Sequence, residues 1–138
     1  MSTDISLQTT TYQVGNQQWL LAQPKVKFNL TLDISKFTAN THFPNGFIPS
    51  GTVVGKLSSG GKGAPYSNAA SDGSETAYGV TYEDARVTRQ NGTNATSVGV
   101  AVVVYDAVIS AGKLPFQSGA GSIDANGKAD LAQIRWEA

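Results

Sequence analysis

The sequence predicts a mainly β protein: a compact small β-barrel or β-sandwich-like domain of short strands, with one short C-terminal helix and an extended N-terminal arm. Three observations predict it. Residues 26–34 (VKFNLTLDI) alternate apolar and polar side chains, the period-two pattern of a half-buried strand. Fifteen glycines and five prolines cut the chain into segments too short for long helices but suited to strands. The longest apolar run, Val98 to Val108 (VGVAVVVYDAV), is crowded with β-branched residues that pack well on a pleated surface.

The elements follow in order. Residues 1–24 are polar and rich in Gln and Thr, and read as an arm preceding a domain at 25–138. One apolar island, Trp19-Leu20-Leu21-Ala22, interrupts the arm before Pro24. It reads in two ways: as a short strand or anchor onto the parent domain, or as an anchor on a partner, because a clustered Trp and Leu pair is costly to leave in water. After the strand at 26–34, Pro44, Asn45-Gly46, Pro49 and Gly51 mark turns. A short strand is expected at 52–57, a flexible loop over SSGGKGAP and a polar loop from Tyr66 to Glu75. A strand follows at Ala77–Tyr82 and continues extended through Thr88, and RQNGTNAT is a second Asn-Gly turn. Val98 to Val108 is expected to be one buried central strand, closed by Gly112 and Pro115. The tail holds the one helix the sequence suggests, over Ala129–Arg135, with Leu131 and Ile134 on one face and Asp124 or Asn126 as cap.

Composition narrows the function. The chain has 138 residues, the size of one domain. Only 14% are charged, against a usual share of about a quarter, and ten basic residues balance ten acidic ones. No basic face steers it to nucleic acid or to an acidic membrane. Cysteine is absent, which excludes disulfides, thiol catalysis and Cys-based zinc sites. No apolar stretch approaches the roughly 20 residues of a membrane helix. The start, MSTDISLQTTT, has neither a basic nor an apolar leader segment, so synthesis in a cytoplasm is expected.

Candidate chemistry is sparse. His42 is the only histidine, placed before a Pro-Asn-Gly turn with no marked nucleophile or carboxylate partner, so a loop histidine without a catalytic role is expected. Gly51 to Leu57 (GTVVGKL) fails as a phosphate loop: three residues rather than four separate the glycines, and Leu57 replaces the hydroxyl residue after Lys56. Asp124 to Asp130 fails as a calcium loop, because Gly127 comes early and the bidentate Glu is missing. Glu83 and Asp84, adjacent on an extended segment, point to opposite faces and do not converge. The triplets at Asn29, Asn91 and Asn94 match the glycosylation pattern but lack a secretory context. No catalytic, cofactor-binding, metal-binding or small-molecule substrate site is expected.

Ordered blocks over residues 46–137 resemble a known family. They are Gly46-Phe47-Ile48-Pro49-Ser50-Gly51-Thr52-Val53-Val54-Gly55-Lys56-Leu57, then Pro65-Tyr66, then Ser71 to Asp84 (SDGSETAYGVTYED), then Val98 to Val108 with Ser110-Ala111-Gly112-Lys113-Leu114-Pro115. The series resembles the head decoration proteins of tailed double-stranded DNA phages. The resemblance implies a structural capsid cement protein and not an enzyme. It would form homotrimers at threefold and quasi-threefold positions on the outside of the virion head, bind the major capsid protein and stabilise the expanded, DNA-filled shell. It further implies that the arm orders on the capsid, adding a strand to a sheet there, with Thr9, Thr10, Thr11, Tyr12, Val14, Trp19, Leu20 and Leu21 as contact residues. A second reading, from another class, is a β-rich glycan- or receptor-binding module in which Tyr66, Tyr78 and Tyr82 stack on sugars.

Overall fold

A computed structural model describes residues 17–138. In chain order its elements are β1 (Leu20–Ala22), β2 (Phe28–Asp33), α1 (Ala39–His42), β3 (Phe47–Ile48), β4 (Val53–Lys56), β5 (Gly63–Pro65), β6 (Ala77–Thr81), β7 (Ala85–Arg86), β8 (Ser97–Val103), β9 (Ala107–Ser110), α2 (Ala125–Asp130) and β10 (Ile134–Glu137). Single 3-10 turns occupy Ile34–Lys36 and Ala111–Lys113. Five strands close a barrel in the order β2-β5-β4-β6-β8, with β8 pairing back to β2. A three-stranded sheet, β1-β9-β10, and a two-stranded ribbon, β3-β7, complete the fold. The expected β-barrel class is therefore what forms.

Two apolar clusters share the barrel wall. Leu30, Leu32, Val54, Val100 and Val102 belong to one, together with Phe37, Phe43, Ile48 and Val87. Leu30 lies opposite Val100 in the antiparallel β2–β8 ladder, so their side chains share the inner face. Val53, Val80 and Val103 belong to the other cluster, with Trp19, Tyr66, Ile109, Leu131 and Ile134. They stand on the outer face, where β1-β9-β10 and α2 cover them. Strands covered on both faces need apolar residues at consecutive positions, which accounts for Val53-Val54 and Val102-Val103. β2 is covered on one face only: Leu30 and Leu32 are buried while Asn29 and Thr31 are exposed, so its sequence alternates.

Glycines allow two close approaches. A side chain on Gly55 would meet the Ser74 backbone at 2.6 Å, and Gly73, at φ +108°, lies where a side chain would meet the Ser58 amide at 2.5 Å. The Asp72-Gly73-Ser74 turn thus seats directly on β4 and the residues after it. Asp72 Oδ1 accepts from the Ser74 amide at 3.1 Å, and the Ser58 amide donates to the Asp72 carbonyl at 2.9 Å.

Several expectations are corrected. The Val98–Val108 run is two strands, not one: Asp106 adopts φ +60° and turns β8 into β9, so the two lie in different sheets. The helix expected at Ala129–Arg135 lies earlier, at Ala125–Asp130, because Asp124 caps it by accepting from the Gly127 amide at 2.8 Å. Ile134–Glu137 is instead β10, parallel to β9. A second helical turn, α1, forms at Ala39–His42. Part of SSGGKGAP is a buried strand, β5, and Tyr66, the loop residue after it, is buried, at 1% exposed.

The arm boundary also moves. Trp19 is 0% exposed and Leu20 8%, both within the chain's own core, and β1 pairs antiparallel with β9. Residues 19–22 belong to the folded domain, as the anchor onto the parent domain. Trp19→Ala is expected to destabilise the domain by about 3–5 kcal/mol, through lost transfer energy and the cavity left behind. Urea unfolding monitored by circular dichroism measures this. Removing residues 1–24 should lower the midpoint at least as much as Trp19→Ala does. An unchanged midpoint for either protein would contradict the assignment.

Candidate functional site

Trp19 sits at the meeting point of the motif blocks. Its indole N–H donates to Ser50 Oγ at 3.1 Å, and Ser50 Oγ in turn donates to the Tyr82 carbonyl at 2.9 Å. Gly51, at φ +95°, leaves room for it: a side chain there would lie 2.9 Å from the indole nitrogen and 2.8 Å from Pro115. The Ser110 amide donates to the Trp19 carbonyl at 2.7 Å. Around this plug the Pro49–Thr52 turn is tied to Thr81–Asp84. The Thr52 amide donates to Thr81 Oγ1 at 3.0 Å, the Ser50 amide donates to Asp84 Oδ1 at 2.7 Å, and the Pro49 carbonyl accepts from both threonine hydroxyls. The Ser50–Thr52, Thr81–Asp84 and Leu114-Pro115 pieces of the sequence are thus one packed junction.

From this anchor the chain runs along the surface. Leu21 is 51% exposed, Val26 43% and Phe28 38%, and these are the exposed large apolar side chains among the described residues. The segment is held by its own contacts. Tyr82 Oη donates to Gln23 Oε1 at 2.9 Å, and the Lys27 ammonium lies 4.0 Å from the Tyr82 ring centroid. The Lys25 amide donates to Asp106 Oδ2 at 3.3 Å, and Phe28 meets Tyr105 edge to face with centroids 6.0 Å apart. The segment that carries Leu21, Val26 and Phe28 is therefore tied to the domain at Gln23, Lys25, Lys27 and Phe28.

The expected contact residues divide accordingly. Leu21 is on this surface. Trp19 and Leu20 lie instead in the chain's own core. Thr9, Thr10, Thr11, Tyr12 and Val14 lie outside the described residues. The sequence reading missed Val26 and Phe28 as surface groups, since alternation alone assigned them to the core. The signal was their place at the start of the strand, where the barrel mouth no longer covers them.

The polar side chains with chemical potential are engaged structurally. His42 is buried, not a loop residue: Nδ1 accepts from the Thr38 amide at 2.9 Å and Nε2 lies 2.9 Å from the Ala120 carbonyl. Because Nδ1 accepts, Nε2 carries the hydrogen and donates. The ring also meets Phe37 and Phe116 edge to face, so the residue joins distant loops. Tyr66 donates to Asp124 Oδ1 at 2.6 Å. Burial, and then the bond to Asp124, push the Tyr66 phenol well above its ordinary range. Burial alone would raise the Asp124 carboxyl, but the Tyr66 hydroxyl and the Gly127 and Asn126 amides outweigh it and hold it below the usual carboxylate value. Of the tyrosines suggested for sugar stacking, Tyr66 is closed off. Tyr78 and Tyr82 lie under the Lys56 and Lys27 ammoniums. Among the described residues no three His, Cys, Asp or Glu side chains gather as metal ligands.

The described fold is a β scaffold on which Leu21, Val26 and Phe28 are exposed. The family model for Bacteriophage lambda head decoration protein D matches residues 33–135, and the chain belongs to that family. Its role is thereby decoration of a phage capsid, in a family of structural virion proteins. No curated protein and no solved structure matched the chain.

The Asp124 geometry fixes an acid response. Its carboxyl is depressed in the folded state, so the stabilisation is present above the unfolded value, near 3.8, and is lost as pH falls through the lower folded value. Asp124→Ala should lower stability at pH 7 by about 1 kcal/mol through the lost helix cap. The variant should also lose less additional stability than the parent between pH 5 and pH 2, ranges set by ordinary carboxylate titration. Thermal unfolding across that window measures both. A parallel decline in the two proteins would contradict the role.

Proposed function

We propose that the chain cements the outer surface of the phage head as a homotrimer, at threefold and quasi-threefold positions, binding the major capsid protein and stabilising the expanded, DNA-filled shell. The observation that carries this reading is the exposure of three large apolar side chains, Leu21, Val26 and Phe28, on the segment that follows Trp19, which we take together as one contact strip. In this reading Trp19 is the peg that fixes the arm to the domain, and the strip seats on the capsid. Thr9, Thr10, Thr11, Tyr12 and Val14 lie along the capsid as an added strand, where main-chain hydrogen bonds supply affinity. Three arms bound together raise the effective concentration of each, so modest contacts sum to tight attachment. The low charge, 14% with zero net, supports a protein partner over nucleic acid or membrane. Synthesis takes place in the host cytoplasm.

Co-sedimentation with undecorated, expanded heads tests the strip. Val26→Ser and Leu21→Ser should each weaken binding about tenfold, the equivalent of about 1.4 kcal/mol, while leaving thermal unfolding of the free protein nearly unchanged. Undiminished binding by both variants would contradict the seating. Light scattering should give about three times the monomer mass of 14.4 kDa, and a monomer both free and on heads would contradict the trimer.

A further inference from the structure

Three Asn-Gly pairs, at 45–46, 91–92 and 126–127, share one latent reaction and differ sharply in surroundings. In such a pair the following amide nitrogen can attack the asparagine side-chain carbonyl. Glycine permits this because no Cβ obstructs the approach or the backbone rearrangement it needs. We propose that Asn91 is a site of spontaneous deamidation in this protein, and that Asn45 and Asn126 are protected by the fold.

Asn91 lies at the tip of the loop between β7 and β8, in a stretch, 89 to 94, in which every residue is exposed. A side chain added at Gly92 would meet nothing within 4 Å, so the backbone there is free to swing. The Asn91 Oδ1 atom accepts from the Thr93 amide at 3.1 Å and from the Thr93 hydroxyl at 2.6 Å. Those two donors draw electron density from Cγ and stand ready for the oxyanion that attack creates. The Gly92 amide is held by a single turn bond to the Arg89 carbonyl at 2.9 Å, which an exposed tip opens readily.

The step balances without a redox partner. The Gly92 nitrogen loses its proton to solvent base and forms a bond to Asn91 Cγ, and the side-chain nitrogen takes a proton from solvent and leaves as ammonia as its bond to Cγ breaks. Water then opens the resulting succinimide at either carbonyl, giving aspartate or isoaspartate. Either product adds a negative charge to a chain of zero formal net charge. Isoaspartate also lengthens the backbone between Arg89 and Thr93, against the Arg89 amide bond to the Thr93 carbonyl and the Thr88–Asn94 bridge.

The other two pairs lack this freedom. The Gly46 carbonyl accepts from both the Val87 and Thr88 amides at 2.9 Å, its own amide donates to Phe43, and Thr88 crowds it at 3.1 Å. Gly127 is buried inside α2, with its amide bonded to Asp124 and with Ile123 and Tyr66 against it, so attack by its nitrogen requires the helix to unwind.

The test ages the full chain at mildly alkaline pH and follows it by peptide mapping, charge separation and isoaspartate detection. The Asn91 peptide should gain charge and isoaspartate first, with the other two at least tenfold slower. Thr93→Val, which keeps the turn amide but removes the hydroxyl, should slow the Asn91 reaction several-fold, and Asn91→Ser should abolish the early acidic species. In denaturant the three sites should react at similar rates. Earlier modification of Asn45 or Asn126 in the folded protein, or a Thr93→Val chain that reacts as fast or faster, would overturn the proposal.

Discussion

The burial of one indole governs how the rest of the structure is arranged. Trp19 fills the space left by Gly51, between Pro115 and the Ser50 hydroxyl. By doing so it joins the start of the folded chain to two turns far away in sequence. A tryptophan contributes more core area than almost any other side chain, and its N–H requires a partner when buried. Ser50 supplies that partner while donating onward to Tyr82, so apolar packing and the polar junction depend on each other. The strand that follows, β1, extends the sheet that covers the outer face of the barrel. Without that cover, Val53, Val80 and Val103 would face water on the side opposite the barrel's own filling.

This junction gives the motif blocks a physical meaning. Ser50-Gly51-Thr52, Thr81 with Asp84, and Leu114-Pro115 are separated in sequence but interlock around a single site. Asp72-Gly73-Ser74 plays the same part on the far side of β4, where Gly55 admits its backbone. Small residues and short polar side chains recur in these blocks because backbone segments approach too closely for anything larger. None of this requires catalysis, and it suits a protein whose task is to hold its shape on a particle.

How much was legible follows from the same physics. β2 declared itself because one of its faces is wet and the other dry. The barrel class followed from short β-branched segments between turns. The Val98–Val108 run hid a strand break, because both daughter strands are covered and only Asp106, at φ +60°, marks the turn. The tail was read as helix on propensity, yet Ile134-Arg135-Trp136-Glu137 alternates apolar and charged residues, a period-two signal that the parallel pairing with β9 confirms. Trp19 was ambiguous, since polar neighbours disguise a core residue whose partners lie more than thirty positions away. The same distance hid His42, which is tied to Ala120 across the fold. Of the candidate surface, Leu21 was read from sequence. Val26 and Phe28 were not, because exposure at a barrel mouth is a property of the closed sheet rather than of any local pattern.

The anchoring of Trp19 also organises the functional reading. With the indole locked inside the domain, the segment after it is held by Tyr82, Asp106 and Tyr105, which contact Gln23, Lys25, Lys27 and Phe28. A density map of the decorated head tests the account most directly. It should show the Leu21–Phe28 strip facing the major capsid protein, with Trp19 enclosed within its own subunit. A map in which that strip faces solvent, or in which the indole inserts into the capsid protein, would contradict it.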